Sequence, residues 1–334
     1  MTLFDNVTLG LTLIAFLAFL AYRLGKTQQL SNIAFTVWVI VAVVWALFFP
    51  DTLQTWGSFS LKSLIIPLLM IIMFGMGTAM SLEDFKGILK MPKGVLIGLA
   101  CQFTIMPLIG FSLTVAFNFP PEIAAGIILV GSSPSGLASN VMSYIAGANL
   151  ALSLTLTAIA TLVAPLLTPV LMKLLAGQLV PIDFWAMVFS MFKIVILPVG
   201  LGLLFNRYLS GKLPWLDRAM PKLSMVGIAV IIAIITAAGR DSLLAIGPLL
   251  IVACALHNGL GYLLGYQTAK WSGMDKASCR TIALEVGMQN SGLASGIALE
   301  MGKVATMGLA AVVFGPLMNI SGSSLASYWK EKQS

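Results

Sequence analysis

The feature that most limits the fold of this chain is a series of apolar segments, each about as long as a bilayer-spanning helix. A span needs about 20 apolar residues. Eleven segments meet or approach that length: 7–24, 32–50, 62–80, 94–118, 121–147, 149–176, 184–209, 220–239, 245–270, 275–301 and 304–329. Only 9% of the residues are charged, whereas a soluble domain carries about 25%. The sequence therefore predicts an all-α polytopic membrane protein with about eleven spans in the lipid bilayer.

Two of these segments contain near copies of one decapeptide. Val130–Ser139 reads V-G-S-S-P-S-G-L-A-S and Val286–Ser295 reads V-G-M-Q-N-S-G-L-A-S, with seven of ten positions identical. Helix-breaking residues are tolerated at membrane depth only where the freed backbone groups face protein or a polar cavity. A matched pair of interrupted segments is typical of the binding site of a secondary transporter. We therefore expect two discontinuous helices, 121–147 and 275–301.

The basic residues indicate an orientation in the membrane. If successive loops alternate between two sides, the N-terminal side carries four Lys and Arg residues: Lys62, Lys173, Arg240 and Lys303. The opposite side carries fourteen: Arg23, Lys26, Lys86, Lys90, Lys93, Arg207, Lys212, Arg218, Lys222, Lys270, Lys276, Arg280, Lys330 and Lys332. Loops rich in Lys and Arg stay in the cytoplasm. This predicts the N-terminus outside and the C-terminus in the cytoplasm. It also accounts for the net charge of +7 without a nucleic-acid partner.

The span count also relates the two decapeptides to each other. They lie five spans apart, and because five is odd, the two copies cross the membrane in opposite directions. Ten spans then form two inverted five-helix repeats, 32–176 and 184–329, with the two discontinuous helices crossing. Segment 7–24 is an extra N-terminal helix outside the repeat, with packing or anchoring as its expected role.

Glu285 is the main candidate functional residue, because an acidic side chain near mid-bilayer is costly and usually functional. Buried there, a carboxylate needs a cation or a proton. Neutral oxygen groups occur in and near the same segments: Gln102, Ser139, Asn140, Ser153, Thr157, Gln289 and the backbone carbonyls of Val286 and Met288. One carboxylate among neutral oxygens, without His or Cys, suits a hard cation of low charge rather than a transition metal. Sodium is the first interpretation and a proton is the second.

The restarting half-helices supply a second element of the site. At Ser135–Leu137 and Ser291–Leu293, unpaired N–H groups and the positive ends of the helix dipoles attract an anion. The second decapeptide is expected to carry the ion-binding groups, while the first supplies mainly a break and a helix end. Together these features predict cation-coupled uptake of an organic acid.

Several alternatives remain open at this point. They are a proton-coupled or uncoupled exporter of organic acids or oxyanions, an ion channel, a sensor or receptor, and an intramembrane enzyme. The last is disfavoured because Gly131–Gly136 does not match G-x-S-x-G, so a non-enzymatic role is expected. Lys193 lies within a span and has no assigned role, and His257 is expected to be a packed, hydrogen-bonded residue rather than a proton relay.

Five motifs resemble bacterial members of the bile acid:sodium symporter family. They are I-L-V-G-S-S-P-S-G-L-A-S-N-V-M-S-Y (Ile128–Tyr144), E-V-G-M-Q-N-S-G-L-A (Glu285–Ala294), N-I-S-G-S (Asn319–Ser323), F-G-M-G (Phe74–Gly77) and L-H-N-G-L-G-Y-L-L-G (Leu256–Gly265). The similarity covers about residues 34–329. It implies a panel domain (34–80 and 184–239) that packs against a core domain (94–176 and 245–329), with alternating access by movement of core against panel. It also implies a multi-pass protein of the bacterial inner membrane, and a monomer is expected.

The resemblance also implies the site residues. A first sodium site is formed by Ser139, Asn140, Ser153, Thr157 and Glu285. A second uses Gln102, Glu285, Gln289 and the carbonyls of Val286 and Met288. The substrate, a small or bile-acid-like organic anion, is expected at the crossing near Leu137, Ala138, Asn290, Met318 and Asn319.

Two of these residues depart from the family pattern. Leu137 stands where relatives place a substrate-contacting Thr, and Met318 stands where they place a His. Both changes remove polar groups from the expected substrate face, so the sequence does not identify the organic anion.

Overall fold

The computed structural model describes residues 7–26, 31–209, 211–212 and 214–331. Lys332 and both chain termini, which the orientation prediction uses, lie outside these residues. Within the described ranges the chain forms fifteen α-helices: α1 Val7–Gly25, α2 Ser31–Phe48, α3 Ile65–Thr78, α4 Leu82–Lys90, α5 Pro92–Ala116, α6 Pro121–Ser132, α7 Leu137–Ile145, α8 Leu150–Leu175, α9 Phe184–Met191, α10 Leu197–Leu209, α11 Pro214–Ala238, α12 Arg240–Trp271, α13 Lys276–Gly287, α14 Ser291–Glu300 and α15 Met307–Glu331.

Short elements join some of these helices. Two 3₁₀ turns, Pro50–Leu53 and Leu61–Leu64, flank a small antiparallel hairpin between α2 and α3. Its strands β1 (Thr55–Trp56) and β2 (Phe59–Ser60) pair Thr55 with Ser60 and Trp56 with Phe59. A π-helical turn, Phe192–Ile196, joins α9 to α10.

Eight helices in the described part of the chain are long and apolar enough to cross a membrane. The prediction of an all-α polytopic membrane protein is confirmed at this level. The two segments that carry the decapeptides are each divided into two helices, α6/α7 and α13/α14. Helix α4 was not predicted; it is amphipathic and too short to span, and Asp84 Oδ2 accepts a hydrogen bond of 2.7 Å from the Ser81 backbone N–H at its start.

Local chemistry explains both breaks. Proline has no N–H to continue a helix and disfavours helical geometry in the residue before it. Accordingly, Ser133, which precedes Pro134, is extended at φ −80° and ψ 154°. At the second break, Asn290 caps α14, its Oδ1 accepting a 3.0 Å hydrogen bond from Leu293 N–H. The two breaks meet, since Ser135 and Gln289 form an antiparallel bridge.

The helices pack in two groups. In the first group, α11 packs on α2 and α3, and α3 packs on α10. Helices α5, α6, α8, α12, α13 and α15 form the second group. Helix α14 touches both groups, through α3 and α15, and it also contacts α9, which packs on α8. Helix α1 packs on α2 and leaves several large apolar side chains exposed, including Leu11, Phe16 and Phe19. In a bilayer these side chains would face lipid, as expected for an added helix.

Contacts between helix ends join residues that the span count places on the same side of the membrane. Lys303 pairs with Glu122, and Arg240 Nε donates to the Leu47 carbonyl at 2.7 Å. All four lie on the side predicted to be external. On the other side, Asn206 Nδ2 donates to the carbonyls of Thr78 and Met80 at 2.7 Å each, and Asn149 N–H donates to Ala277 O at 3.4 Å.

Glycine allows the closest approach of α3 to α10. A Cβ on Gly202 would overlap the Phe74 carbonyl oxygen and lie 2.8 Å from the Gly77 Cα. Small residues at membrane helix interfaces let the backbones approach closely and pack.

Replacing Gly202 by Ala is therefore expected to force α3 and α10 apart. Overpacking of this kind costs about 1–3 kcal/mol, so the thermal midpoint of the detergent-solubilised protein should fall. Gly200→Ala is the matched control on the same helix, because a Cβ there meets nothing within 4 Å. It should leave stability unchanged or raise it by up to about 1 kcal/mol. Equal midpoints for the two variants would contradict the packing described here.

Candidate functional site

Glu285 is buried at the end of α13, with 3% of its surface exposed, and four hydroxyl groups surround its carboxylate. Ser139 and Ser153 each donate to Oε1 at 2.6 Å. Ser135 donates to Oε2 at 2.6 Å and Thr157 donates to the same oxygen at 2.9 Å. Residues more than 100 positions apart in sequence therefore converge on one carboxylate.

The local fold explains this convergence. Ser135 lies in the first break, and Ser139 lies in the first turn of α7 immediately after it. Ser153 and Thr157 are spaced i, i+4 on α8, so they share one helix face. The antiparallel contact of the two breaks then brings Glu285 alongside α7 and α8.

Asn140 completes this oxygen cluster. Its Oδ1 lies 2.8 Å from the Ser153 hydroxyl and 3.0 Å from the Thr157 hydroxyl. Its Nδ2 is buried without a partner among the described residues. The side chain thus directs its acceptor atom, not its donor, toward the cluster.

The cluster has more acceptors than hydroxyl protons. Each hydroxyl has one proton to donate. However, Ser153 and Thr157 each contact both Glu285 and Asn140 Oδ1, and Ser139 contacts both Glu285 and the Gly136 carbonyl at 2.7 Å. Three short oxygen–oxygen contacts therefore lack a proton. A proton on Glu285 would satisfy one of them, whereas a cation placed among the oxygens would offset the repulsion at all three.

A second polar group surrounds the helix break that follows Glu285. Gln102 Nε2 donates to Gln289 Oε1 and to the Ser133 carbonyl, both at 2.8 Å. Gln289 Nε2 donates to the Val286 carbonyl at 2.6 Å. The Oε1 atom of Gln102 is buried and has no hydrogen-bond partner in the described structure. A buried acceptor without a donor fits a cation ligand better than a packing role.

The structure joins three members of the second predicted sodium set by hydrogen bonds: Gln102, Gln289 and the Val286 carbonyl. The Glu285 carboxylate, which also belongs to that set, accepts hydrogen bonds from Ser139 and Thr157 of the first set. Met288 is extended at φ −106° and ψ 108°, and its side chain lies toward α15, where a Cβ on Gly322 would be 2.9 Å from the Met288 sulfur.

The predicted substrate residues lie around the crossing. Leu137 and Ala138 begin α7 and are half-buried, whereas Asn290 is buried. A Cβ on Gly136 would lie 3.8 Å from the Asn290 Cα, and one on Gly315 would lie 2.8 Å from the Ser291 hydroxyl. Met318 and Asn319 lie between Gly315 and Gly322 on α15. This spacing places them next to the α15 face that meets the second break.

Two sequence-based interpretations need correction. The first decapeptide supplies more than a break, because Ser135 and Ser139 both bond to Glu285. Arg280 is not a loop residue, since it is 1% exposed within α13. Its Nη1 donates to the Ala146 carbonyl at the end of α7 at 3.1 Å, and its guanidinium stacks over Trp329. A basic residue near the end of a predicted segment is counted with the loop residues unless the position at which the helix begins is known.

Two other residues were singled out from the sequence. His257 is fully buried, and its Nε2 lies 2.9 Å from the Met106 carbonyl, which confirms a packed, hydrogen-bonded role. Lys193 is exposed in the π-helical turn between α9 and α10.

Comparison with known proteins shows extended similarity to sodium-dependent transporters. The profile of the Sodium Bile acid symporter family matches residues 66–246. The chain is 40% identical over 308 residues to the uncharacterised sodium-dependent transporter YocS of Bacillus subtilis, covering 92% of this chain and 94% of that protein. It is 34% identical over 297 residues to the probable chloroplast sodium/metabolite cotransporter BASS1 of Arabidopsis thaliana, covering 89% and 73%. It is 32% identical over 249 residues to the human ileal sodium/bile acid cotransporter, covering 72% and 70%.

Proposed function

Because the chain belongs to the sodium bile acid symporter family, we propose that it is a symporter that imports an organic anion with two sodium ions. The observation that carries this proposal is the buried Glu285 carboxylate with its surplus of oxygen acceptors. Family membership makes the protein a sodium-dependent transporter rather than an enzyme. The substrate class, the number of ions and the direction of transport are the proposed part.

The first sodium ion binds among Ser139, Asn140, Ser153, Thr157 and Glu285. These groups offer hydroxyl, amide and carboxylate oxygens, which are hard ligands suited to a hard cation. Ser135 joins the set through its 2.6 Å contact with Glu285. The ion offsets the buried negative charge, which would otherwise be costly.

The second sodium ion binds at the break between α13 and α14. Its proposed ligands are Gln102, Glu285, Gln289 and the carbonyls of Val286 and Met288. The unpartnered Gln102 Oε1 supports this assignment. When this ion binds, the present Gln289-to-Val286 hydrogen bond of 2.6 Å is replaced by ion contacts, and Glu285 is shared between the two ions.

The organic anion binds at the crossing of the breaks. The N-terminal ends of α7 and α14 meet there, and the dipole of each helix favours negative charge at that end. Leu137, Ala138 and Met318 give the surroundings an apolar surface, with Asn290 and Asn319 as polar groups. This combination suits a small carboxylate or a bile-acid-like amphipathic anion.

Transport proceeds by alternating access of a core domain against a panel domain. The panel comprises 34–80 and 184–239, and the core comprises 94–176 and 245–329. The two helix groups described above support this division except at α9, which is assigned to the panel and packs on α8 of the core. So does the antiparallel bridge between the breaks, since inverted repeats require the two broken segments to run in opposite directions. Contacts that join the two domains, such as the 2.8 Å hydrogen bond from Ser190 to Glu300, must break during the movement.

The proposal also includes a bacterial inner-membrane location with the N-terminus outside. The helix-end contacts support alternation of the spans, and the bias of basic residues sets the direction. Burial of Arg280 removes one residue from that bias without changing its sign.

Uptake into proteoliposomes tests the proposal. With an inward sodium gradient, the protein should accumulate a small hydroxycarboxylate or a bile salt above protein-free liposomes, and replacement of sodium by choline should abolish this. Accumulation driven by a pH gradient without sodium would favour the proton-coupled alternative. Single-channel currents in planar bilayers would indicate a channel.

Thr157 provides a local test of the first ion site. Thr157→Val removes one oxygen ligand and keeps the side-chain shape, so the sodium concentration for half-maximal uptake should rise roughly tenfold or more, equivalent to at least about 1.4 kcal/mol. Thr161→Val is the matched control one turn along α8. Thr161 is also buried, but its hydroxyl bonds only to the Thr157 carbonyl among the described contacts, at 2.7 Å. An equal change in both variants would remove Thr157 from the site.

A further inference from the structure

Two motifs outside the ion-binding groups enclose the second break. One is L-H-N-G-L-G-Y-L-L-G on α12, and the other is N-I-S-G-S on α15. From α12, Asn258 Nδ2 donates to the Gly287 carbonyl at 2.8 Å. From α15, the Ser321 hydroxyl donates to Asn258 Oδ1 at 2.6 Å. A continuous hydrogen-bonded chain therefore runs from the break through α12 to α15.

The glycines of α12 allow this contact. Asn258, Gly261 and Gly265 follow one another at i, i+3 and i+7, so they lie on one helix face. A Cβ on Gly261 would be 3.1 Å from the Gly287 Cα, and one on Gly265 would be 3.1 Å from the Val286 Cβ. The flat face lets the α13 backbone approach closely enough for the short Asn258 side chain to reach the Gly287 carbonyl.

Both polar atoms of the buried Asn258 side chain take part in this hydrogen-bonded chain. Asn258 is 1% exposed. The carbonyl it holds belongs to the last residue of α13, a position whose carbonyl has no partner within the helix. Without Asn258, the Gly287 carbonyl would be buried with an unsatisfied acceptor.

The direction of the Gly287 carbonyl determines the direction of the next one. Met288 is extended, and successive carbonyl groups in extended backbone point to opposite sides. Holding Gly287 O toward α12 therefore turns Met288 O away from α12, toward the first break. The antiparallel pairing of Ser135 with Gln289 places Gly136 opposite Met288 on that side.

Helix α15 packs against α12 beside this segment. Tyr262 on α12 donates to the Met318 carbonyl at 3.3 Å, and a Cβ on Gly322 would lie 3.0 Å from the Tyr262 hydroxyl. Ser321 on α15 is thus held against α12, two residues beyond Asn319, which belongs to the proposed substrate site.

We propose that Asn258 and Ser321 are positioning residues for the second sodium ion. They orient the Gly287–Met288 peptide so that the Met288 carbonyl faces the ion, and they connect this segment to the helix that carries Asn319. The inference rests on the proposed sodium symport. Partners that orient the ligands of a metal ion typically change its affinity 10–100-fold when removed.

Sodium-dependent thermal stabilisation of the purified full-length protein tests this inference. Sodium chloride is titrated against choline chloride at constant ionic strength, with no organic substrate present. For Asn258→Ala, the sodium concentration giving half-maximal stabilisation should rise roughly tenfold or more. Ser321→Ala should raise it in the same direction, because it leaves the Asn258 amide free to rotate. A purely structural role would lower the melting temperature in choline but leave half-saturation unchanged.

Ser324→Ala is the matched control. Ser324 is exposed one turn further along α15, and its hydroxyl bonds to the Ile320 carbonyl at 2.8 Å. Its sodium half-saturation should equal that of the wild type. If Asn258→Ala does not fold, Ser321→Ala decides the question. If the half-saturating sodium concentration of every folded variant among Asn258→Ala and Ser321→Ala stays within twofold of the wild-type value, this inference is wrong and the proposed symport stands. If the wild type itself shows no stabilisation by sodium, both the proposed symport and this inference are wrong.

Discussion

Glu285→Gln is expected to abolish sodium-driven uptake and, at the same time, to preserve or raise the stability of the sodium-free protein. The two effects have one cause. Glu285 is 3% exposed, and an uncompensated buried charge is costly to fold. The neutral amide removes that charge together with the main attraction for the cation. Sodium at 100 times its dissociation constant stabilises a single-site protein by about 2.7 kcal/mol, and this increment should disappear in the variant.

The stability curves of wild type and variant should therefore cross as sodium is added. In choline, Glu285→Gln melts at or above the wild-type temperature. In saturating sodium, the wild type melts higher. Glu83→Gln is the control, because Glu83 is exposed and pairs only with Lys86 in the described structure, and surface pairs contribute about 0–1 kcal/mol. Parallel curves for Glu285→Gln and the wild type would exclude Glu285 from the ion site.

The sequence predicted Glu285 and most of its partners because of where these residue types occur. A carboxylate deep in an apolar segment has few explanations. The i, i+4 spacing of Ser153 and Thr157 also predicts, without a structure, that the two side chains share one helix face. Spacing does not predict their convergence on Glu285, because that convergence depends on how the two broken segments cross. The resemblance to the family implied this convergence. In the structure, the hydroxyls of Ser153 and Thr157 lie 2.6 and 2.9 Å from the Glu285 carboxylate oxygens.

Ser135 and Arg280 show why the remaining features were missed. Ser135 contacts Glu285 only because α6 stops at Ser132 and the chain turns across the second break. That position depends on the register of two segments far apart in sequence. Arg280 occurs near a predicted segment end, where a basic residue ordinarily indicates the cytoplasmic side. Its burial against Ala146 and Trp329 is a tertiary contact with no local signal.

Helix α4 and the π-helical turn were missed for a different reason. The search for spans of about 20 residues treats anything shorter as a loop, so the nine residues of α4 escaped it. The turn at Phe192–Ile196 lies in a segment whose apolar composition fits an unbroken helix. Hydropathy determines whether a segment enters the membrane, but it carries little information about the hydrogen-bond pattern within the segment.

A substitution at one of the two proposed ion sites is expected to impair binding of the ion at that site and to leave the other site intact. Ser153→Ala affects only the first group, where the hydroxyl contacts Glu285 and Asn140. Gln102→Leu affects only the second, where it removes the unpartnered Oε1 and the hydrogen bonds to Ser133 and Gln289. If the wild type binds two sodium ions cooperatively, its uptake rises with sodium with a Hill coefficient between one and two.

Either single substitution should reduce that coefficient to about one, because one ion is lost from the transport cycle or binds only at much higher sodium. The half-saturating sodium concentration should rise roughly tenfold or more, since losing a buried hydrogen-bond partner costs about 1–3 kcal/mol. Thr104→Val is the control on α5, two residues from Gln102, because its exposed hydroxyl bonds only to the Ala100 carbonyl in the described structure, at 2.6 Å. A Hill coefficient of about one in both the wild type and Gln102→Leu, with the same half-saturating sodium concentration, would leave a single ion at Glu285. The surplus of acceptors around the carboxylate would then account for the whole sodium dependence.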